Sequence, residues 1–350
     1  MIDILGKKIG QGLKPFIVAE LSGNHNKSIH RAKQLIDAAK ASGADAVKLQ
    51  TYTADTMTLD LTSNEFFVSD SNNLWAGQSL HQLYDIAHTP WDWHQELFDY
   101  IKENGMLPFS SPFDESSVDF LEMLDCPIYK VASFEITDIP LIKKIAATHK
   151  PIIISTGMAD RDEIVDALEA VRSISQAEVF FLKCTSTYPA SISDANLVTM
   201  DDIAQLTNCS IGLSDHTMNN ITSILSVAYG ACIIEKHITL DRTDGGVDSS
   251  FSLEPAEFKK LVEEVNDAWQ ALGRITYGGT KAEQKSKQYR RSIYCSKDIS
   301  AGECITRKNT KIVRPGLGLT PKHYDSVLNK KATIDIKKGT ALSFEHLENQ

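Results

Sequence analysis

Eight short apolar runs, each followed by a stretch of helical spacing, recur through the first 270 or so residues of this 350-residue chain. The runs are Phe16–Leu21, Ala46–Thr51, Met106–Ser110, Ile128–Val131, Pro151–Ser155, Val179–Cys184, Cys209–Leu213 and Cys232–Lys236. Runs this short and largely apolar suit buried strands, as a helix-covered parallel sheet requires. Helix-like patterns lie between them, such as Ile29–Ala41, Asp92–Glu103, Ser116–Leu124, Leu141–Thr148, Glu163–Ser173 and Thr222–Tyr229. After the eighth run comes Pro255–Leu272, with Pro at the helix start and Phe258, Leu261, Val262, Val265 and Trp269 at helical spacing. Strand then helix, eight times over, predicts an α/β fold of the (β/α)8 TIM-barrel type. One connection breaks the rhythm. Tyr52–Pro90, which carries Trp75 and Tyr84, predicts a lid or rim insertion.

Past Gly273 the pattern changes. Tyr277–Arg291 is polar and reads as a linker, and beyond it Asp298-Ile299-x-x-Gly302-x-x-Ile305 is echoed by Asp335-Ile336-x-x-Gly339-x-x-Leu342. The expected organisation is a barrel over 1–275, a linker over 276–290 and a small domain over 291–350. Charge divides similarly: from Lys281 onward there are 15 Lys and Arg against 7 Asp and Glu, a net of +8, leaving −18 for the first 280 residues. Such a division fits docking, a lid over an anionic ligand, or two domains with different surfaces.

Composition narrows the function classes. With 42% hydrophobic and 23% charged residues the chain is an ordinary globular sequence. No apolar run approaches the ~18 residues of a membrane span, and Met1-Ile2-Asp3 does not begin a signal peptide. Six scattered cysteines without CxxC spacing suit free thiols in a reducing, cytoplasmic compartment. The net charge of −10 argues against a nucleic-acid partner.

In a barrel the residues at the carboxyl ends of the strands build the site. In order these are Glu20 with Asn24 and His25; Lys48 and Gln50; Ser110 and Ser111; Lys130 and Ser133; Ser155 and Thr156; Ser186 and Tyr188; Ser214 and His216; Glu235 and His237. Two lysines with several hydroxyls suit a small anion rich in oxygen. Paired imidazoles on neighbouring strands suit one divalent metal ion. Each feature has a plainer alternative: hydroxyls as turn residues, Glu20 as a loop acceptor, and each His as a hydrogen-bonded strand-end residue.

Several motifs together resemble the sialic acid synthase family: Ala19-Glu20-Leu21-Ser22-Gly23-Asn24-His25-Asn26, Lys48-Leu49-Gln50, Ser155-Thr156-Gly157-Met158, Gly212–Thr217 and Glu235-Lys236-His237. Residues 291–350 resemble that family's antifreeze-like (SAF) domain through Arg314-Pro315-Gly316 and Asp335-Ile336-Lys337-Lys338-Gly339. Leu74-Trp75, Tyr84, Ala87–Trp91, Ser110–Asp114, Lys130–Ile136 and Asp248–Leu253 are most similar to its pseudaminic acid synthase branch. One departure is Ser186, where sialic acid synthases show an Asn before the Tyr-Pro pair.

The resemblance implies a synthase that joins phosphoenolpyruvate to an open-chain amino-sugar aldehyde, here a 6-deoxy diacetamido sugar. C3 of phosphoenolpyruvate adds to the aldehyde, water captures the cation at C2, and phosphate leaves by C–O cleavage. It further implies that His216 and His237 ligate Mn2+ or Mg2+, and that Lys48, Gln50, Ser111, Lys130, Ser133, Ser155, Ser186, Tyr188 and Ser214 hold phosphoenolpyruvate. Glu20, Asn24, Gln50, Trp75, Tyr84, Asp248 and Arg314 would face the sugar, with Glu20, Lys48, Lys130 and Asp248 carrying the chemistry. The family's domain-swapped homodimer would bring Arg314 to the partner subunit's barrel. N-acetylneuraminate and legionaminic acid synthases are alternatives within the family. A Schiff-base aldolase using Lys130 or Lys236 is an alternative from another class.

Overall fold

The computed structural model describes residues 1–69 and 75–348; Leu74, quoted above with Trp75, lies outside the described residues. The chain forms two compact units, Met1–Gly273 and Arg274–Gln350.

The first unit opens with an antiparallel hairpin, β1 (Ile2–Ile4) and β2 (Lys7–Ile9), that the sequence reading did not anticipate. The parallel strands follow as β3 (Phe16–Glu20), β4 (Ala46–Thr51), β5 (Leu107–Pro112), β6 (Tyr129–Val131), β7 (Ile152–Ser155), β8 (Val179–Cys184), β9 (Ser210–Asp215) and β10 (Ile233–His237). Each pairs with the next, and β10 pairs back onto β3, so the sheet closes into the expected TIM barrel. Strands β3, β5, β6, β7, β8 and β10 are buried at every position, including the polar residues they carry, such as Lys130, Lys183, Glu235 and Lys236.

Between the strands run α1 (Ile29–Ser42), α2 (Ala54–Met57), α3 (Leu80–Ala87), α4 (His94–Glu103), α5 (Glu115–Met123), α6 (Ile139–Ala146), α7 (Arg161–Arg172), α8 (Thr199–Thr207) and α9 (Ile221–Ala228), and α10 (Pro255–Leu272) follows the last. Local chemistry starts them: Asp160 caps α7 and closes a capping box with Glu163, and Pro255 occupies the first turn of α10. Helix α8 was missed because Thr199, Asp201, Asp202 and Thr207 dilute its apolar signal, although Met200 and Ile203 are buried. The Tyr52–Pro90 insertion supplies α2 and α3.

Helix α9 is inside out for a barrel helix. It buries Thr222, Ser223, Ser226 and Val227, while Ile221 and Leu225 are exposed. On its inner face Thr222 and Ser223 donate to the buried Asp215 carboxylate, while Val227 joins the apolar core. Beneath it, strand β9 comes so close to β10 that a Cβ at Gly212 would lie 2.4 Å from the Ile233 carbonyl oxygen, so only glycine fits.

The second unit is built on an antiparallel pair, β11 (Ser292–Cys295) and β12 (Thr310–Val313), with a short helix α11 (Tyr324–Val327). Its core includes Ile293, Ile299, Ile305, Val327, Ile336 and Leu342. The sequence echo has a structural meaning: Ile299 and Ile336 exchange both backbone hydrogen bonds at 2.8 Å. Residues Glu283–Tyr289 form an exposed 3-10 turn ahead of β11.

Candidate active site

Backbone alternation decides which strand-end residues face the barrel axis. At the mouth, Lys48 of β4 lies between two carboxylates, 3.1 Å from Glu20 Oε2 and 3.0 Å from Glu235 Oε1. Gln50 donates to Glu20 Oε1 at 3.0 Å, and Ser214 donates to Glu235 Oε1 at 3.1 Å. Burial drives the Glu20 carboxyl up to about 7, with Lys48 opposing and Glu235 adding to the rise. Glu235 moves the other way. Burial opposes its ionisation, but the Lys48 and Lys130 ammonium groups outweigh it and hold the carboxyl well below its ordinary range. Lys130 is buried, donates to the Val131 carbonyl at 2.8 Å, and is lowered by burial to about 8.

Around these charges stand hydroxyls with capacity to spare. Ser133 and Ser186 lie 2.8 Å apart, while Ser111 Oγ and Ser155 Oγ are buried without a hydrogen-bond partner. Buried polar atoms usually pair with protein, ordered water or a bound ligand.

His216 and His237 stand side by side, their ring centroids 5.3 Å apart, with Tyr188 and Phe251 packed against them. His216 Nδ1 lies 3.1 Å from the Thr185 carbonyl oxygen, where it can only donate, so in the neutral ring Nε2 keeps its lone pair; burial lowers the imidazole, but Cys184, Glu235 and that carbonyl outweigh it and raise the ring above its ordinary range. His237 Nδ1 is buried without a partner. Burial, reinforced by His216 and Lys48, keeps the His237 ring neutral far below its ordinary range. Two imidazoles with bare nitrogens, one of them orphaned, fit a metal ion. Among the described residues no group of three or more His, Cys, Asp or Glu is arranged to hold one.

Above the rim lies a cavity of about 360 Å3. Gln50, Ser133, His237 and Asp248 supply polar atoms, while Tyr52, Met57, Trp75, Leu83, Tyr84, Phe113, Tyr188 and Phe251 supply apolar and aromatic wall. Asp248 accepts from the Ser22 hydroxyl, and burial raises its carboxyl above the ordinary range. Another concavity of about 360 Å3, beside α9 and α10, is lined by Met218, Ile221, Ile224 and Glu264 and holds none of the strand-end groups.

The mouth therefore gathers Glu20, Lys48, Gln50, Ser111, Lys130, Ser133, Ser155, Ser186, Tyr188, Ser214, His216, His237 and Asp248, with Trp75 and Tyr84 on the cavity wall. Two candidates are outside that set. Asn24 is fully buried and spends its amide inside the protein: Nδ2 donates to the Ile238 carbonyl and Ser252 Oγ, and Oδ1 accepts from Asp248 N and Ser249 Oγ. It braces the Asp248 loop and is not in the cavity lining. Arg314 belongs to the second unit, exposed just after β12. Lys236 is unsuited to Schiff-base chemistry, because its ammonium donates to Asp215 Oδ2 and to the Thr217 and Asn219 carbonyls at 2.7, 2.7 and 3.0 Å.

Sequence reasoning passed over Glu135, which lines the cavity with a buried, unpartnered Oε2 and is raised by burial to about 7. Its one signal was its place after β6, five residues beyond Lys130. It passed over the Tyr52 and Phe251 walls as well.

Residues 35–277 match the NeuB family, and residues 290–348 match the SAF domain. The chain belongs to the NeuB family. The resemblance to sialic acid synthases read from the motifs is thereby borne out. Among its relatives is the pseudaminic acid synthase of Helicobacter pylori, 43% identical over 95% of this chain and 98% of that protein. The N,N'-diacetyllegionaminic acid synthase of Legionella pneumophila is 35% identical over 98% of this chain and 97% of its own length. Among solved structures, the N-acetylneuraminic acid synthetase of Leptospira borgpetersenii, in complex with citrate, is similar with a TM-score of 0.72 at 30% identity, covering 81% of this chain and 94% of that one.

Proposed function

We propose that this NeuB-family chain is a pseudaminic acid synthase, condensing phosphoenolpyruvate with 2,4-diacetamido-2,4,6-trideoxy-β-L-altropyranose and water to give pseudaminic acid and phosphate. The observation that carries this reading is the junction at the barrel mouth. A buried, lysine-bearing, hydroxyl-rich rim meets, at Gln50, Ser133 and His237, a cavity walled largely by aromatic and apolar side chains. The rim suits a carboxylate and a phosphate, and the wall suits a 6-methyl group and two acetamido methyls. Identity of 42–43% to three pseudaminic acid synthases, against 35–36% to two legionaminic acid synthases, supports the same choice of sugar.

Lys48 and Lys130 balance the charge of phosphoenolpyruvate and of the departing phosphate, and Ser111, Ser133, Ser155, Ser186 and Ser214 take its oxygens. Gln50 and Tyr188 border both substrates. His216 and His237 would hold manganese or magnesium, which supplies Lewis-acid polarisation of the sugar aldehyde. Glu20, with its carboxyl raised toward neutrality, takes the proton from the water that adds at C2. Asp248 and Glu135 offer acceptors for sugar hydroxyl and amide hydrogens. The aromatic walls exclude bulk water from the reacting carbons. The working form is a cytoplasmic homodimer in which Arg314 completes the partner subunit's site. Among the described residues no helix is long and apolar enough to cross a membrane, and the six cysteines are free.

The decisive test is a phosphate-release assay with phosphoenolpyruvate, Mn2+ and three sugars side by side: the altro sugar above, its legionaminic acid-forming isomer and N-acetylmannosamine. The altro sugar should give the highest kcat/KM, and chelation should abolish turnover. Higher kcat/KM on either competitor would overturn the sugar assignment, and full turnover after exhaustive chelation would overturn the metal.

A further inference from the structure

On the outer face of the barrel, directly behind the paired imidazoles, lies a buried ion pair to which the reaction assigns no task. Lys236 of β10 and Asp215 of β9 are register partners, each almost wholly inaccessible, with Nζ 2.7 Å from Oδ2. Strand alternation turns them outward, toward α9, while the next residues, His216 and His237, emerge on the inner side. Asp215 is the last β9 residue paired to β10, so the ion pair is the final cross-strand tie before the two histidines.

Its contacts bracket His216. Lys236 reaches Asp215 immediately before the histidine, then the carbonyls of Thr217 and Asn219 after it. Asp215 Oδ1 accepts from the Thr217 amide and hydroxyl at 2.9 and 2.8 Å, closing a tight turn around the same residue. Asp215 Oδ2 also accepts from Thr222 and Ser223 of α9 at 2.7 and 2.6 Å. This explains the inverted helix: α9 turns hydroxyls inward because it packs on a carboxylate. A buried ion pair is weak evidence for stability alone, since apolar residues of similar volume often do as well. What it does supply is a unique register, through several directional bonds aimed at one turn.

We propose that Asp215 and Lys236 are positioning residues that set the separation of the His216 and His237 imidazoles for one divalent cation. The inference rests on the metal-ligand reading of that pair. Partners that orient metal ligands typically change metal affinity by about 10- to 100-fold when removed.

The test is Mn2+ binding by titration calorimetry on the full chain, at a temperature where near-ultraviolet dichroism shows each variant folded. Lys236→Met should raise the Mn2+ Kd roughly 10- to 100-fold, while phosphoenolpyruvate affinity changes less than about threefold. Activity should recover at saturating Mn2+. If Lys236→Met does not fold, Asp215→Asn, which keeps the shape and an acceptor oxygen, is read in its place by the same criteria. A folded variant with wild-type Mn2+ affinity, or an equal loss of Mn2+ and phosphoenolpyruvate affinity, would overturn the positioning role. His237→Ala separates the two claims: if it binds Mn2+ as tightly as wild type, the ligand assignment itself has failed.

Discussion

Gly157→Ala should damage the barrel mouth by an amount that can be partitioned into two causes. Gly157 follows β7 with φ at +49°, and an added Cβ would stand 2.4 Å from Ser133 Cβ and 2.7 Å from Ser186 Oγ. Ser133 Cβ is one bond from its backbone, so no side-chain rotation relieves the contact and the β6–α6 loop must shift. The left-handed conformation costs an L-residue about 1–2 kcal/mol, and overpacking adds about 1–3 kcal/mol. Together these predict a loss of about 2–5 kcal/mol, or roughly 5–20 °C in Tm for a unit of this size. Gly230→Ala isolates the first cause, because Gly230 has φ of +80° and nothing within 4 Å of an added Cβ. It should lose only about 2–8 °C. The clash also pushes the Ser133 and Ser186 hydroxyls from the rim. A hydrogen bond to a charged ligand contributes about 1.5–3 kcal/mol, so the KM for phosphoenolpyruvate should rise roughly 10- to 100-fold. The sugar KM should move less than about threefold. Thermal melts and phosphate-release kinetics measure both. Equal Tm losses in the two variants, together with an unchanged phosphoenolpyruvate KM, would refute the cradle geometry.

Two further outcomes are expected. His94 is buried neutral, with Nε2 2.8 Å from Thr51 Oγ1, and burial lowers it to about 4 from an unfolded value near 6.5. Its contribution to stability is complete above pH 6.5 and is lost as pH falls toward 4, because the unfolded state takes the proton first. The stability gap between wild type and His94→Gln should therefore narrow by about 3 kcal/mol from pH 7 to pH 4 in urea unfolding; a gap independent of pH would contradict this. For Arg314, mixing inactive Arg314→Ala and His237→Ala subunits should restore activity as subunits exchange, since one site of a swapped heterodimer escapes both lesions. Exchange without recovery would place the arginine's action within its own chain or outside catalysis.

Much of the barrel is written locally. Strands buried on both faces begin with uninterrupted apolar residues, so Val179–Leu182 and Cys232–Ile234 stand out as short apolar stretches ahead of the polar strand ends. Capping residues such as Asp160 mark where helices begin. Closure of the barrel brings every strand end to one rim, and for that reason Lys48, Ser155, His216 and His237 could be gathered from positions nearly 190 residues apart. Helix α8 escaped because polar residues weakened its period, and α9 was found although its polarity is reversed.

What sequence alone could not settle was how each side chain spends its bonds. Asn24 sits in a motif that invites a ligand role, yet four partners on a loop more than 200 residues away consume its amide. Lys236 looked as available as Lys130, and only strand alternation turned one toward Asp215 beneath a helix and the other into the mouth. Glu135 became a cavity carboxyl through burial, which depends on the α2–α3 insertion and the loop after β10 covering the barrel mouth. Periodicity and capping act over a few residues and are legible in order along the chain. Hydrogen-bond saturation and desolvation depend on which distant segments arrive, and tertiary structure decided them.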